Sequence, residues 1–192
     1  MSLILASKSE IRRAMLTQAG VEFEARSPDF DEEEVKQLGL EGEPLAARLA
    51  EGKAASIDTG SDDWVIGSDS TITVDSRRYS KPRDRDEAAM HLRLFSGRIM
   101  LLSSAVALAR NGELDWSHAE TARLQVRPLS EAFIQSYLDE EWPEVGYCVG
   151  VFRMEGRGVT LFDRVEGSHF TILGMPLMPL LGALRERAVI AA

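Results

Sequence analysis

The turn after the first predicted strand carries side chains suited to binding phosphate. Residues 3–6 are apolar and predict a strand, which is followed by Ser7-Lys8-Ser9 and then by a helix that carries Arg12 and Arg13. A helix N-terminus presents free N–H groups to an anion, and arginine binds phosphate through two donors at once. A surface helix with a serine cap and two solvated arginines explains the same residues, and without further support it is the better explanation.

Carboxylates form a second group of candidate side chains. Asp69 follows an apolar segment, residues 64–67, that predicts a buried strand, and ligands of α/β proteins often bind where strands end. An aspartate that only forms a turn is the alternative. Five acidic residues also lie close together between positions 29 and 34, in a predicted loop that a proline precedes. Such runs are usually solvated surfaces, so Asp69 is the more specific indication of a site.

Two lysines complete the set of charged candidates. Lys53 lies on a mostly apolar predicted helix, and Lys81 directly precedes a proline, which favours an extended backbone at that position. Each could be an ordinary surface lysine. Taken together with Arg13, they could neutralise a triphosphate, while Glu32 and Asp69 could hold a hard cation such as Mg²⁺ through their oxygens.

Several familiar chemistries lack the residues that they need. The chain has neither the GxxxxGK[ST] segment of a P-loop nor the GxGxxG turn of a dinucleotide site. His91, His118, His169 and Cys148 have no spacing typical of a zinc site. No serine lies in a G-x-S-x-G context, which disfavours a serine hydrolase. Any phosphates must therefore be held by another arrangement.

Composition restricts the partners and the compartment. The chain has 192 residues, of which 44% are hydrophobic, enough for one sizeable core. Its 31 acidic and 22 basic residues give a net charge of -9, so duplex nucleic acid and anionic membranes would be repelled. The single cysteine cannot form an internal disulfide, and no apolar run has the length of a membrane span or a signal peptide. We therefore expect a cytoplasmic protein that binds neither nucleic acid nor membranes.

Alternating strand and helix patterns favour an α/β fold. Apolar alternation and turn residues predict strands at residues 3–6, 23–25, 64–67, 71–74, 99–109, 114–126 and 159–165. Helical spacing and capping residues predict helices at residues 11–19, 44–54, 84–95, 130–137 and 176–187. Asn111-Gly112 joins two long strands into a hairpin. A hairpin among strand-helix units indicates a mixed sheet with flanking helices rather than a strictly parallel sheet.

Taken in order, these segments resemble the Maf family of nucleoside triphosphate pyrophosphatases. Each segment is short, but the ordered series extends over nearly the whole chain and is specific. The matching segments are Leu5-Ala6-Ser7-Lys8-Ser9 with Arg12-Arg13, Asp31-Glu32, Lys53-Ala54, Gly67-Ser68-Asp69, Lys81-Pro82, Ser96-Gly97, Gly167-Ser168 and Gly174-Met175-Pro176-Leu177.

The resemblance implies a fold, a reaction and a set of site residues. The fold would be of the Maf/ITPase-like type, a single domain over residues 1–192 with two lobes around a central cleft, usually in a homodimer. The substrate would be a nucleoside triphosphate, which is cleaved to the monophosphate and pyrophosphate. Asp69 would be the proton acceptor and Glu32 the second catalytic carboxylate, and both would bind a divalent metal cation (Mg²⁺, Mn²⁺ or Co²⁺). The ligands of the phosphates would be Ser7, Arg13, Lys53 and Lys81.

Within this family the chain is most similar to the branch that acts on 7-methyl-GTP. Gly67-Ser68-Asp69 and the segment 152–162, which contains Glu155, carry that similarity. Ile11 and Ser70 stand where that branch tends to have tryptophan and glutamine. Ile11, Ser70 and Glu155 are therefore the expected determinants of base specificity. A pyrophosphatase with dTTP, UTP or broad preference and a non-catalytic regulator of cell division remain as alternatives.

Overall fold

A seven-stranded mixed sheet with helices on both faces forms the framework of the protein. The computed structural model describes residues 2–60 and 62–191. The strands are β1 (Leu3–Ala6), β2 (Glu24–Arg26), β3 (Trp64–Val74), β4 (Arg77–Tyr79), β5 (Ile99–Arg110), β6 (Glu113–Val126) and β7 (Phe162–Glu166). The helices are α1 (Glu10–Gln18), α2 (Glu32–Lys36), α3 (Gly42–Ala55), α4 (Arg85–Phe95), α5 (Glu131–Glu141), α6 (His169–Ile172) and α7 (Leu177–Glu186), with 3-10 helices at Glu144–Tyr147 and Arg157–Leu161.

The sheet combines a parallel and an antiparallel part. Its order is β2-β1-β3-β5-β6-β7, and β4 pairs with β3. β1 is parallel to β2 and to β3, while β3, β5, β6 and β7 pair in antiparallel fashion. The predicted α/β fold with a mixed sheet and flanking helices is confirmed. The β5–β6 hairpin turns at Asn111 (φ 55°) and Gly112 (φ 74°), the two positive φ angles that an Asn-Gly hairpin requires.

One edge of β3 is left uncovered for a few residues. β1 pairs with β3 at residues 64–67, and β4 pairs with the same edge at residues 72–74. β5 covers the opposite edge along the whole strand. Residues 68–71 of β3 therefore form the floor of a notch between β1 and β4. These pairings direct both the turn after β1 and the chain that leaves β4 towards this notch, although the two segments are distant in sequence.

Side chains of β3 alternate between two differently covered faces. On one face α3 packs its alanines against alanines of β5. The other face carries two apolar clusters, one beneath α1 and α7 and the other beneath α4 and α5. Ser68, Ser70 and Ser104 lie between these clusters in the register of β3 and β5, so polar groups separate the two lobes of the core.

Capping residues mark the helix starts well in this chain. Asp84 accepts a hydrogen bond from the backbone N of Glu87 at 2.8 Å, and Ser130 accepts one from the backbone N of Phe133 at 3.2 Å. α4 and α5 thus begin where a side chain satisfies a free N–H group, as predicted. α7 also agrees closely with the predicted helix at residues 176–187.

Several predicted element boundaries are wrong. β3 does not end at Gly67, because its pairing with β5 continues through Asp69 to Val74, so the strands predicted at residues 64–67 and 71–74 are one strand. The acidic run is not a loop throughout, because Glu32 begins α2, whose N-cap is Asp31. The strand predicted from residue 159 begins only at Phe162, because a 3-10 helix precedes it.

Candidate active site

Two glycines bring α3 and the loop before α2 close to the notch. A Cβ atom on Gly67 would lie 2.1 Å from the carbonyl oxygen of Ala50, so α3 packs against β3 at a distance that only glycine permits. A Cβ atom on Gly52 would lie 2.2 Å from the ring of Phe30, which precedes α2. These close approaches place Lys53 of α3 over β3 and bring α2 to the same position.

Lys53 lies between two carboxylates. Its Nζ atom is 3.0 Å from Asp69 Oδ2 and 2.7 Å from Glu32 Oε1. The side chains of Lys53 and Asp69 are 11% and 15% exposed, so their contact is largely shielded from water. Asp69 Oδ1 also accepts a hydrogen bond from the backbone N of Ser70 at 2.7 Å, which sets the orientation of the carboxylate. The structure therefore brings together three of the predicted site residues, from α3, β3 and α2.

Glu32 is held by two lysines. Besides Lys53, the ammonium of Lys36 lies 3.1 Å from Glu32 Oε2, one helical turn later in α2. Burial raises the pKa of Glu32, but hydrogen bonds and charges from Lys53 and Lys36 outweigh that effect and lower it to about 2. Glu32 is therefore ionised at neutral pH. Lys36 is not among the residues predicted from the sequence, because an i,i+4 pair requires a helix where a loop was predicted.

Arg12 spans the notch and joins three parts of the chain. Its guanidinium donates to the carbonyl oxygen of Ser68 at 2.7 Å, to that of Gly174 at 2.9 Å and to Ser70 Oγ at 3.2 Å. Gly174 has a φ of +103°, and a Cβ atom there would lie 3.2 Å from Ser70 Oγ, so glycine leaves room for these contacts. The guanidinium thereby fixes α1 against β3 and against the turn before α7.

The charge of Arg12 faces the carboxylates of the site. Burial lowers the pKa of Arg12, and the negative charges of Asp69 and Glu32 oppose that effect. Arg12 and Arg13 are both candidates from the sequence, and phosphate binding is assigned there to Arg13; helix periodicity distinguishes the two. Arg12 precedes the two buried residues of α1 by three and four positions, so it shares their helix face.

The turn between β1 and α1 contains two further predicted phosphate ligands. Ser7 is buried, and its Oγ accepts a hydrogen bond from the backbone N of Ser9 at 3.1 Å. Ser9 is the N-cap of α1, but its side chain makes no capping hydrogen bond, so N–H groups of the first turn can bind an anion. Arg13 is exposed and donates to the carbonyl oxygen of Lys8 at 3.0 Å. Its contact is with this turn and not with the carboxylates around Lys53.

The charges of Lys81 and Glu155 both act on Cys148. Lys81 is exposed and follows β4, which directs the chain towards the notch. Burial is the main cause that raises the pKa of the Cys148 thiol to about 11; the charge of Glu155 adds to this effect, and that of Lys81 opposes it. Both charges therefore act on one thiol although they are far apart in sequence. Glu155 is exposed, in the turn before the second 3-10 helix.

Ser70 belongs to a chain of hydroxyl groups that crosses the sheet. Its Oγ is 2.8 Å from Ser104 Oγ on β5, and Ser104 donates to the carbonyl oxygen of Thr171 at 2.7 Å. The hydroxyl of Thr171 in turn donates to Glu120. These bonds fix the Ser70 hydroxyl in the floor of the notch. Ile11, the other predicted specificity residue on this side, is half-buried in the first turn of α1.

The carboxylates around Lys53 offer hard oxygen ligands for a cation. Glu32 and Asp69 already converge on the positive charge of its ammonium group. Within residues 2–60 and 62–191, no group of three or more His, Cys, Asp and Glu side chains is arranged to hold a metal ion. A divalent cation at Glu32 and Asp69 would therefore take water and substrate oxygens as its remaining ligands, an arrangement common for Mg²⁺. The donors present are compatible with such a cation.

A family model and several curated relatives match nearly the whole chain. The model described as Maf-like protein matches residues 2–187. The chain belongs to the Maf family. This Maf family member is 47% identical to a 7-methyl-GTP pyrophosphatase of Rhizobium meliloti (strain 1021), over 99% of this chain and 98% of that protein. It is 44% identical to a nucleoside triphosphate pyrophosphatase of Nitrobacter hamburgensis, over 98% of this chain and 95% of that protein.

A solved structure shares the fold of this Maf family member. The Staphylococcus aureus Ham1 protein matches it with a TM-score of 0.51 at 16% identity, over 98% of this chain and 100% of that chain. At this identity the match concerns the fold alone, and it agrees with the predicted Maf/ITPase-like architecture. In the described part of the chain, no helix has the length and hydropathy needed to cross a membrane.

Proposed function

We propose that the protein hydrolyses a nucleoside triphosphate to the monophosphate and pyrophosphate, and that 7-methyl-GTP is its preferred substrate. The observation that carries this proposal is the position of Lys53 between Asp69 and Glu32 in the notch of β3. A carboxylate able to act on water then lies beside cations able to hold phosphates. A non-catalytic regulator of cell division would need no such carboxylate.

Asp69 acts as the proton acceptor for the attacking water. Its Oδ1 is oriented by the backbone N of Ser70 and its Oδ2 by Lys53, so the carboxylate is fixed before substrate binds. A positioned base that accepts a proton in the transition state contributes about 10²–10⁴-fold to the rate. In-line attack at the α phosphorus makes pyrophosphate the leaving group, and negative charge grows on it as the bond breaks.

Cations on both sides of the notch bind the leaving pyrophosphate. Lys53 lies over the floor of the notch and Lys81 approaches from β4. Arg13 and Ser7 lie at the turn after β1. Lys53 exchanges its carboxylate partners for phosphate oxygens when substrate binds, because a triphosphate concentrates more negative charge. Fixed positive charges placed where negative charge develops stabilise the transition state more than the ground state.

Glu32 and Asp69 would hold the divalent cation together with phosphate oxygens. Once bound, Mg²⁺, Mn²⁺ or Co²⁺ lowers the pKa of a coordinated water and neutralises phosphate charge. EDTA should abolish turnover without unfolding the chain, because the cation would be held with the substrate rather than in a structural cage. Full activity after exhaustive EDTA treatment would exclude this part of the proposal.

Glu155 recognises the base. Methylation at N7 gives guanine a positive charge and makes its N1–H a stronger donor, so a carboxylate that accepts from N1–H and the exocyclic amine favours 7-methylguanine over guanine. Uracil and thymine lack that pair of donors. Ile11 offers an apolar contact and Ser70 a hydroxyl group. Because Ile11 has no aromatic ring to stack on a cationic base, discrimination depends mainly on Glu155.

Pyrophosphate release from a panel of triphosphates tests the proposal. The panel contains 7-methyl-GTP, GTP, UTP and dTTP, each measured with Mg²⁺, Mn²⁺ and Co²⁺. The expected result is metal-dependent turnover that is fastest with 7-methyl-GTP. The less specific name of the Nitrobacter relative is a reason to include every base, since a preference for dTTP or UTP would keep the reaction and change the substrate. Binding without turnover on any member would favour the regulatory alternative.

We also propose a homodimer and a cytoplasmic location. The family resemblance implies a homodimer, and an acidic chain with one cysteine suits the cytoplasm. Light scattering of the purified protein should give twice the mass of one chain. The mass of a single chain would exclude the dimer.

A further inference from the structure

A buried ion pair holds the segment that carries Glu155. The side chain of Glu141, at the end of α5, is 7% exposed and lies 3.1 Å from the guanidinium of Arg153. Arg153 stands two residues before Glu155. A carboxylate buried to this degree requires an opposite charge, because an unpaired buried charge is strongly destabilising. Glu141 is not among the proposed catalytic or phosphate-binding residues, so its burial beside this segment calls for another role.

Helix α5 holds the same segment at a second point. The hydroxyl of Tyr137 donates to the carbonyl oxygen of Val151 at 3.0 Å. Val151 has a φ of 56°, a conformation that β-branched residues rarely adopt. After Glu155 the chain folds back, and a Cβ atom on Gly158 would lie 2.4 Å from the carbonyl oxygen of Arg153. The backbone on both sides of Glu155 therefore has one defined path.

The positive charge of Arg153 has more than one carboxylate nearby. Besides Glu141, the negative charges that act on it are those of Glu155 and, more weakly, Glu144. The Arg153 side chain is 35% exposed, so it could reorient if Glu141 no longer held it. An arginine paired with Glu155 would occupy the carboxylate that accepts from the base. Its positive charge would also repel the cationic ring of 7-methylguanine.

We propose that Glu141 is a positioning residue for base recognition, which holds Arg153 away from Glu155. The inference rests on the proposed role of Glu155. Glu141 acts through Arg153 rather than through contact with substrate, and it leaves the Glu155 carboxylate free to accept from the base. Selectivity for 7-methyl-GTP therefore depends on this ion pair, while hydrolysis at Asp69 does not.

The Glu141→Gln variant tests the inference, because glutamine keeps the size of the side chain and removes its charge. Its kcat/KM for 7-methyl-GTP relative to GTP should fall about 10-fold, the loss expected for one charge-assisted hydrogen bond, while kcat for GTP stays near that of the wild type. The matched control is Glu131→Gln, which breaks the more exposed ion pair of Glu131, also on α5, with Arg93 of α4. That control should leave the ratio unchanged.

The double variant Glu141→Gln/Arg153→Gln separates positioning from a general loss of stability. It leaves no unpaired buried charge and no arginine beside Glu155. The ratio of kcat/KM for 7-methyl-GTP to that for GTP should therefore recover towards the wild-type value even where the Tm does not. An unchanged ratio in the single variant, or no recovery in the double variant, would overturn the inference.

A crystal structure of Glu141→Gln gives a second measurement that does not depend on activity. It should show the Arg153 guanidinium within about 4 Å of the Glu155 carboxylate, the distance of an ion pair. An Arg153 that turns to Glu144 or to solvent would refute the inference even where the base preference is as proposed. A wild type that lacks the preference for 7-methyl-GTP would instead contradict the proposed function, and it would remove the stated role of Glu141 as well.

Discussion

Lys53 Nζ lies 3.0 Å from Asp69 Oδ2, so a proposed phosphate-binding cation and the proposed proton acceptor share one hydrogen bond. The contact joins a helix to a strand, and it depends on Gly67, where any larger residue would meet the backbone of α3. The second carboxylate, Glu32, binds the same ammonium and also pairs with Lys36, so each carboxylate of the free site has a positive partner. In the proposed function, phosphate oxygens of the substrate replace these carboxylates as partners of Lys53.

Replacing Asp69 by asparagine should lower turnover by about 10²-fold or more, because the amide keeps the shape of the side chain but cannot accept a proton. The variant should remain folded, since Lys53 keeps Glu32 as a partner. Steady-state assays of pyrophosphate release, with circular dichroism as a check of folding, measure both expectations. Near-normal turnover would show that another group accepts the proton.

Arg13, Lys53 and Lys81 are expected to act on the phosphates and therefore on every substrate alike. Alanine at each position should lower kcat/KM by at least about 10-fold, and to a similar extent for 7-methyl-GTP, GTP and UTP. Arg12→Ala is an informative comparison. It also removes hydrogen bonds to two backbone carbonyl groups, so its Tm should fall together with its activity. A loss of kcat/KM that is confined to the substrate with one base would assign the altered residue to the base pocket.

Gly67→Ala should damage the site without altering a charged group. The added Cβ would lie 2.1 Å from the carbonyl oxygen of Ala50, so α3 must move and carry Lys53 away from Asp69. Overpacking of this kind costs about 1–3 kcal/mol, and we expect both Tm and kcat to fall. The matched control is Gly182→Ala on α7, where an added Cβ would meet nothing within 4 Å. Equal behaviour of the two variants would argue against the packing role of Gly67.

The contribution of Glu32 to stability should disappear in acid. Burial raises its pKa, but Lys53 and Lys36 lower it from the ordinary value of 4.5 to about 2. A carboxylate with a depressed pKa stabilises the folded state above its unfolded pKa, and this contribution is lost as the pH falls towards the folded pKa. The difference in free energy of unfolding between wild type and Glu32→Gln should therefore be constant at neutral pH and shrink between about pH 4.5 and 2. Urea unfolding at a series of pH values measures it, and a difference independent of pH would be inconsistent with the ion pair.

The sequence predicted local features of the fold better than the extent of its strands. Asp84, Ser130 and Asn111-Gly112 marked two helix starts and a hairpin, because a cap or a tight turn depends on a few adjacent residues. The continuation of β3 through Asp69 depends on its pairing with β5, which lies elsewhere in the sequence. The local sequence pattern around Gly67 therefore predicted the end of a strand at a position where β3 continues.

The sequence predicted which residues belong to the candidate site better than it predicted how they contact one another. Ordered motifs indicated Lys53, Asp69 and Glu32, but their contact requires close packing at two glycines, which spacing along the chain does not reveal. Helix periodicity alone would have distinguished Arg12 from its neighbour. No sequence pattern indicated the ion pair of Glu141 with Arg153, because it joins a helix to an irregular segment and the two residues have no regular spacing.

The most direct test of the proposed function is kcat/KM for 7-methyl-GTP, GTP, UTP and dTTP, measured for the wild type and for Glu155→Gln. The wild type should have its highest value with 7-methyl-GTP. Glu155→Gln should narrow the preference over GTP by about 10-fold or more, since one charge-assisted hydrogen bond is worth about 1.5 to 3 kcal/mol. A wild type that favours dTTP or UTP, or a ratio that Glu155→Gln leaves unchanged, would contradict the assignment of the base.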